Sequence, residues 1–180
     1  MPFLPSFSAD ATQSEVFKRW PELAEPLGML AQRLLRDGPF TYEQAEMIFA
    51  FTSGVNACQY CHNIHRHTAE LFGVEPGMFE SLLDNIDSAI IDERMKPILK
   101  YARKLTETPS KMTQADVDAI LDAGWGETEF QYAVSICAAA NYFNRILEAH
   151  GIKGDPALWQ QRGQLLAEND YVQIHQVTVE

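Results

Sequence analysis

The chain has 180 residues, 46% of them hydrophobic, with 14 Lys or Arg against 25 Asp or Glu for a net charge of −11. That length and apolar share suit a folded domain with a true core and exclude a disordered chain; the acidic excess argues against nucleic acid or an anionic membrane surface as partner. No run approaches the roughly 18 apolar residues of a membrane span, and Met1-Pro2-Phe3-Leu4-Pro5 lacks the basic start and continuous apolar stretch of a signal peptide, so a soluble cytoplasmic protein is expected.

Almost every segment reads as helix. Pro21-Glu22-Leu23 puts proline in a first turn, and Leu27, Leu30 and Leu34 recur at helical spacing up to the stop at Asp37-Gly38-Pro39. Thr41 is placed to cap a second helix from Tyr42 to about Thr52, broken by Gly54. Asn56 is then read as the cap of a third helix, from Ala57 to Phe72, ending at Gly73. Further helices are predicted around Met78 to Leu83, Glu93 to Leu105, Gln114 to Asp122 behind Thr113, Thr128 to His150 ending at Gly151, and Pro156 to Ala167. The end, from Tyr171 to Val179, alternates and is β-branched, so an extended tail is expected there. No low-complexity linker divides the chain. The expected organisation is one all-α domain over residues 1–180, with a core at 20–151 and a C-terminal helix and tail at 152–180.

The chemistry concentrates at Cys58-Gln59-Tyr60-Cys61, with His65 after it and Glu46 before it. On a helix, positions i+3 and i+7 lie about 300° and 340° round the axis, so Cys58, Cys61 and His65 are expected on one face. His62 borders that face, and His67 points away from it. A helix start at Cys58 favours a thiolate through its unpaired N–H groups and positive dipole end. If the preceding helix folds back beside it, Glu46 reaches His65.

Four readings compete for this group: inert core cysteines with a satisfied His; zinc held by Cys58, Cys61 and His62 or His65; haem attachment, because Cys58 to His62 matches C-x-x-C-H; and dithiol redox chemistry. Zinc lacks a second ligand pair, and haem attachment lacks an export signal. Dithiol redox chemistry is preferred. Cys137, in Ser135-Ile136-Cys137-Ala138-Ala139-Ala140, reads as a buried inert thiol. There is no Rossmann or flavin fingerprint, so no cofactor or metal is expected and electrons must come from a protein or small-molecule dithiol.

Glu46, eleven intervening residues, Cys58-x-x-Cys61, three more, then His65 resembles the signature of alkyl hydroperoxidase D-like proteins of the carboxymuconolactone decarboxylase superfamily. The resemblance runs in order from Thr41 to Gly151. It takes in Phe51-Thr52-Ser53-Gly54-Val55-Asn56, then Leu99 to Thr106, Met112-Thr113, Ala123-Gly124-Trp125 and Asn141-Tyr142-Phe143-Asn144-Arg145. It is most similar to the peroxidase-related branch.

The resemblance implies an all-α helical bundle, a homo-oligomer (a trimer or hexamer) and reduction of a hydroperoxide by the dithiol. In it Cys61 is the peroxidatic thiolate, Cys58 resolves it, and His65 with Glu46 relays the proton. One departure stands out: the best-known member has a second His directly before its second cysteine, where this chain has Tyr60. Tyrosine is a poor proton acceptor near neutral pH, which points to slower turnover and keeps a redox sensor or binding module as the alternative. Phe49, Phe51, Phe72, Phe79, Trp125, Phe130 and Trp159 are further read as more apolar surface than one small core hides, again favouring self-association.

Overall fold

A computed structural model describes residues 1–169 and 171. Among these residues there are nine α-helices and no strand: α1 (Gln13–Lys18), α2 (Pro21–Leu35), α3 (Tyr42–Val55), α4 (Gln59–Leu71), α5 (Met78–Asp84), α6 (Met95–Glu107), α7 (Gln114–Asp122), α8 (Glu127–His150) and α9 (Pro156–Glu168). The extended tail expected after Tyr171 lies outside the described residues.

α3 is the central element. It packs against α4, α6 and α8, and more lightly against α5 and α2. From Ala45 to Ser53 it is buried without interruption, on every side, as expected for a helix enclosed by others rather than lying on a surface. Thr41 caps it: its hydroxyl accepts from the Gln44 N–H (3.2 Å) while Gln44 Oε1 accepts from the Thr41 N–H (3.1 Å).

Two boundaries differ from the sequence reading. Gly54 does not break α3, because a glycine inside a helix costs only about 1 kcal/mol and the packing around α3 outweighs it. Asn56 does not cap α4. It closes α3, its N–H donating to Thr52 O (3.1 Å), and Cys58 takes the N-cap position of α4. The aromatics read as surplus are partly core: Phe49, Phe51 and Phe79 are buried, whereas Leu23, Met29 and Leu30 of α2 stand exposed.

α4 lies between α3 and α9. The crossing with α9 depends on Gly163. A Cβ there would sit 2.7 Å from the His67 ring, 2.9 Å from the His67 Cβ and 3.0 Å from the Ile64 carbonyl oxygen. Thr68 Oγ1, in the next turn of α4, donates to Gly163 O at 3.2 Å. Gly163→Ala must therefore push α9 off α4. The expected result is a loss of about 1–3 kcal/mol in urea unfolding, the usual cost of overpacking, with helix content unchanged by circular dichroism.

Candidate functional site

The turn between α3 and α4 sets the cysteine geometry. It consists of Asn56, Ala57 and Cys58 alone. Ala57 takes the left-handed conformation (φ 54°), which costs an L-residue roughly 1–2 kcal/mol. It is held there by Ala57 N–H to Gly54 O (2.9 Å) and Cys58 N–H to Ser53 O (3.0 Å). Side chains of α8 tie the same turn down. Asn56 Nδ2 donates to Asn141 Oδ1 (3.0 Å) and Asn144 Oδ1 (2.8 Å), and Asn144 Nδ2 donates to Ser53 Oγ (3.0 Å).

Cys58 thus stands at the N-cap of α4 with Cys61 one turn in, and both are free buried thiols. They interact as a pair. The Cys61 thiol hydrogen-bonds the Cys58 sulfur, which lowers the Cys58 pKa; burial opposes this, the Cys61 backbone N–H adds to it, and Glu148 works against it. Cys61 is pushed well above the ordinary thiol range, first because it gives that hydrogen bond and then by burial and the neighbouring Cys58 charge; Asn144 pulls the other way. The first negative charge of the pair therefore settles on Cys58. Glu148 reaches this place from α8. Its Oε1 is buried without a hydrogen-bond partner while Oε2 pairs with Lys153.

Glu46 is 0% exposed and gathers three partners. Oε1 accepts from Arg36 Nη1 (2.8 Å) and the Tyr171 hydroxyl (2.8 Å), and Oε2 faces His65 Nδ1 at 2.7 Å. Burial pushes the Glu46 carboxyl up, but His65 and Arg36 together outweigh it and hold it below its ordinary range. The Glu46 contact occupies His65 Nδ1, and Phe49 stacks on the ring with centroids 3.9 Å apart. Nε2 is thereby left as the imidazole nitrogen for chemistry.

Cys61 and His65 both line a cavity of about 80 Å³, several times the roughly 10–15 Å³ a single water requires. Its walls are mainly apolar, from Phe17, Leu35, Phe49, Ile64, Phe143 and Leu165. Cys58 is not in the wall.

The other predicted residues sort differently. Tyr60 lines the cavity; its hydroxyl accepts from the Gln13 N–H (3.2 Å), and burial pushes its pKa up to about 12, so it keeps its proton. His62 faces away from the cavity, with Nδ1 donating to Ala50 O at 2.9 Å and burial lowering its pKa. Cys137 is buried beside Thr106, and burial raises its pKa. Among the described residues no three His, Cys, Asp or Glu side chains are grouped to hold a metal.

No protein-family model matches the sequence, and no curated protein matches it either. Solved structures do. An alkylhydroperoxidase AhpD core, an uncharacterized peroxidase-related protein from Ralstonia eutropha JMP134, superposes with a TM-score of 0.73 at 22% identity, covering 83% of this chain and 78% of that one. An uncharacterized peroxidase-related protein from Silicibacter sp. TM1040 superposes with a TM-score of 0.75 at 19% identity, over the same shares of the two chains. The chain has the alkylhydroperoxidase D core fold. The all-α bundle implied by the resemblance is thus the fold observed.

Within this alkylhydroperoxidase D-like fold, four residues around the site escape a sequence reading centred on the cysteines: Arg36, Asn144, Glu148 and Tyr171. One signal was available. Asn141, Asn144 and Glu148 recur three and four apart, a polar stripe along one face of the long helix α8. Nothing in the spacing joins Arg36 or Tyr171 to Glu46.

Two outcomes follow from this geometry. Glu46→Gln leaves Arg36 buried without a counter-charge, so it should cost about 3–5 kcal/mol in urea unfolding at pH 7. The wild-type carboxyl is depressed in the folded state, so its stabilisation is present above the unfolded value of about 4.3 and disappears as pH falls through the lower folded value. The gap between wild type and variant should therefore narrow below pH ~4.3. Separately, Glu148→Gln removes the charge that opposes Cys58 ionisation, so the first thiolate should appear at lower pH in an ultraviolet titration of the reduced protein. An unchanged titration would show that Glu148 does not act on the thiol.

Proposed function

We propose that the chain is a thiol-dependent peroxidase that reduces organic hydroperoxides through a Cys58/Cys61 dithiol–disulfide cycle with His65 and Glu46 as proton relay. The observation that carries this reading is the buried Glu46–His65 pair set beside Cys61 in the wall of one apolar cavity, with a second thiol hydrogen-bonded behind it. The two similar structures are themselves described as peroxidase-related.

Acidity and access assign the two thiols differently, and access decides. Cys58 holds the first charge but does not line the cavity, so peroxide meets Cys61. The Cys61 proton passes along the hydrogen bond to the Cys58 sulfur. The Cys61 thiolate attacks the peroxide O–O bond, forming the sulfenic acid and releasing an alkoxide, which takes a proton from His65 to leave as the alcohol. Glu46 holds His65 through its Nδ1, which fixes the ring orientation. Cys58 then gives up its proton, with Glu148 placed to accept it, and attacks the Cys61 sulfur. The S–O bond breaks, the Cys58–Cys61 disulfide forms, and the departing hydroxide takes up the proton that Cys58 gave up and leaves as water. The dithiol loses two electrons and the peroxide gains them. An external dithiol, protein or small molecule, restores the pair by exchange, in a reducing compartment such as the cytoplasm.

Tyr60 favours a second reading. Holding its proton to a pKa of about 12, it supplies no base next to Cys61, which fits a redox sensor that oxidises once and turns over slowly. Steady-state peroxide consumption with supplied dithiol separates the two. Self-association belongs to the proposal as well, with Leu23, Met29 and Leu30 of α2 as the exposed apolar surface to bury.

The assignment is tested by trapping. With one equivalent of organic hydroperoxide, Cys58→Ser should accumulate a dimedone adduct at Cys61, whereas Cys61→Ser should give little at Cys58. Wild type should yield the Cys58–Cys61 disulfide on peptide mapping, with Cys137 still reduced. A dominant adduct on Cys58 would reverse the roles, and no oxidation of either thiol would end the peroxidase reading.

A further inference from the structure

Among the described residues the cavity beside Cys61 carries fixed charge of one sign only: its lining holds Lys18 of α1 and Arg162 of α9 but no Asp or Glu. This is against the composition of the chain, in which 25 acidic residues outnumber 14 basic ones. Random sampling of this surface would place acids there first.

Neither cation is neutralised by a carboxylate among the described residues. Arg162 Nη2 donates to the Ser14 hydroxyl at 3.0 Å, a neutral partner, and Lys18 forms no ion pair with a described residue. Elsewhere the same chain pairs its bases with acids, as in Arg33–Asp37, Arg66–Glu70 and Lys104–Asp116. The two unpaired cations therefore coincide with the opening beside the reactive thiol.

Burial gives the cavity a direction. Cys61 is 2% exposed and His65 8%, Arg162 is half-buried, and Lys18 is exposed. The thiol and imidazole occupy the closed end, apolar side chains follow, and the cations stand at the outer end. A ligand matching that order has a reactive group and an apolar body inside, and an anionic group outside.

We propose that this cavity selects amphipathic monocarboxylates, and that the substrate is a hydroperoxide with a short apolar chain ending in a carboxylate held by Arg162 and Lys18. The proposal rests on the peroxidase reading for the hydroperoxide and on the cavity alone for the carboxylate. Arg162 supplies a planar fork suited to two-point capture of a carboxylate. Lys18 adds a longer-range, salt-sensitive attraction at the mouth. A neutral hydroperoxide of the same length gains the apolar contacts but not these.

Two arms test the two parts separately. In the first, isothermal titration of the reduced protein compares octanoate with octanamide, neither of which can be reduced. Octanoate should bind about 10–100-fold more tightly at low salt, the range for a hydrogen bond to a charged group, and the difference should shrink as salt is added. Arg162→Gln should remove most of the preference for octanoate over octanamide. Lys18→Gln, at an exposed position, should weaken octanoate in the same direction by a smaller factor. Equal affinity of the two ligands in wild type, or a preference that survives both variants, overturns the anion site.

In the second arm, disulfide formation is timed with a hydroperoxy acid and its methyl ester. The acid should react faster in wild type, and Arg162→Gln should equalise the two. Equal rates in wild type overturn the substrate assignment. If neither compound oxidises the thiols while octanoate still binds selectively, it is the peroxidase reading that fails and the carboxylate site that stands.

Discussion

A single buried carboxylate organises this molecule. Glu46 sits inside the most enclosed helix of the bundle, where an unpaired charge costs several kcal/mol. Its cost is met by an arginine from the end of α2, an imidazole from α4 and a phenol from residue 171. Each of those partners belongs to a different part of the chain, so full satisfaction of the carboxylate joins α2, α4 and residue 171 to α3. Arg36 Nη2 also donates to Leu166 O of α9 at 2.8 Å, which carries the same constraint into the helix that closes the cavity. The interaction that aims His65 is also one that fixes the packing of α2, α4 and α9. Chemistry and fold share one electrostatic knot.

Helix content and the dithiol were legible in the sequence for a simple reason: both are local. The capping threonine of α3, the first-turn proline of α2 and the glycine after α8 act within a few residues of themselves, and their helices fall where expected. So does the relation of Glu46 to His65, once a short turn returns α4 along α3. What was not legible depends on distant pairing. Gly54 looks like a stop until the burial around it is known. Asn56 looks like a cap until Asn141 and Asn144 are seen to claim its side chain, eighty-five or more positions away. His62 and His65 look alike on a helical wheel, yet one bonds the backbone of α3 and the other its carboxylate.

The left-handed turn at Ala57 explains why the cysteine pair is asymmetric. Were Cys58 inside the helix, its sulfur would lie a turn below Cys61 and compete for the same donors. As the N-cap it stands outside the first turn, at the positive end of α4. The thiol that does not line the cavity is thereby the more acidic of the two, and burial and the Cys58 sulfur raise the pKa of the one that does.

Tyr171 has a consequence for how the molecule comes into being. Its hydroxyl is bonded to a carboxylate 125 positions earlier, so a nascent chain emerging from the ribosome builds α3 and α4, with both thiols, long before the phenol that completes the Glu46 pocket. Through that interval Arg36 and His65 must balance the charge with one partner missing and α9 not yet in place. The cysteines are thus more open to stray oxidants during synthesis, until the segment carrying Tyr171 adds its part of the cavity wall.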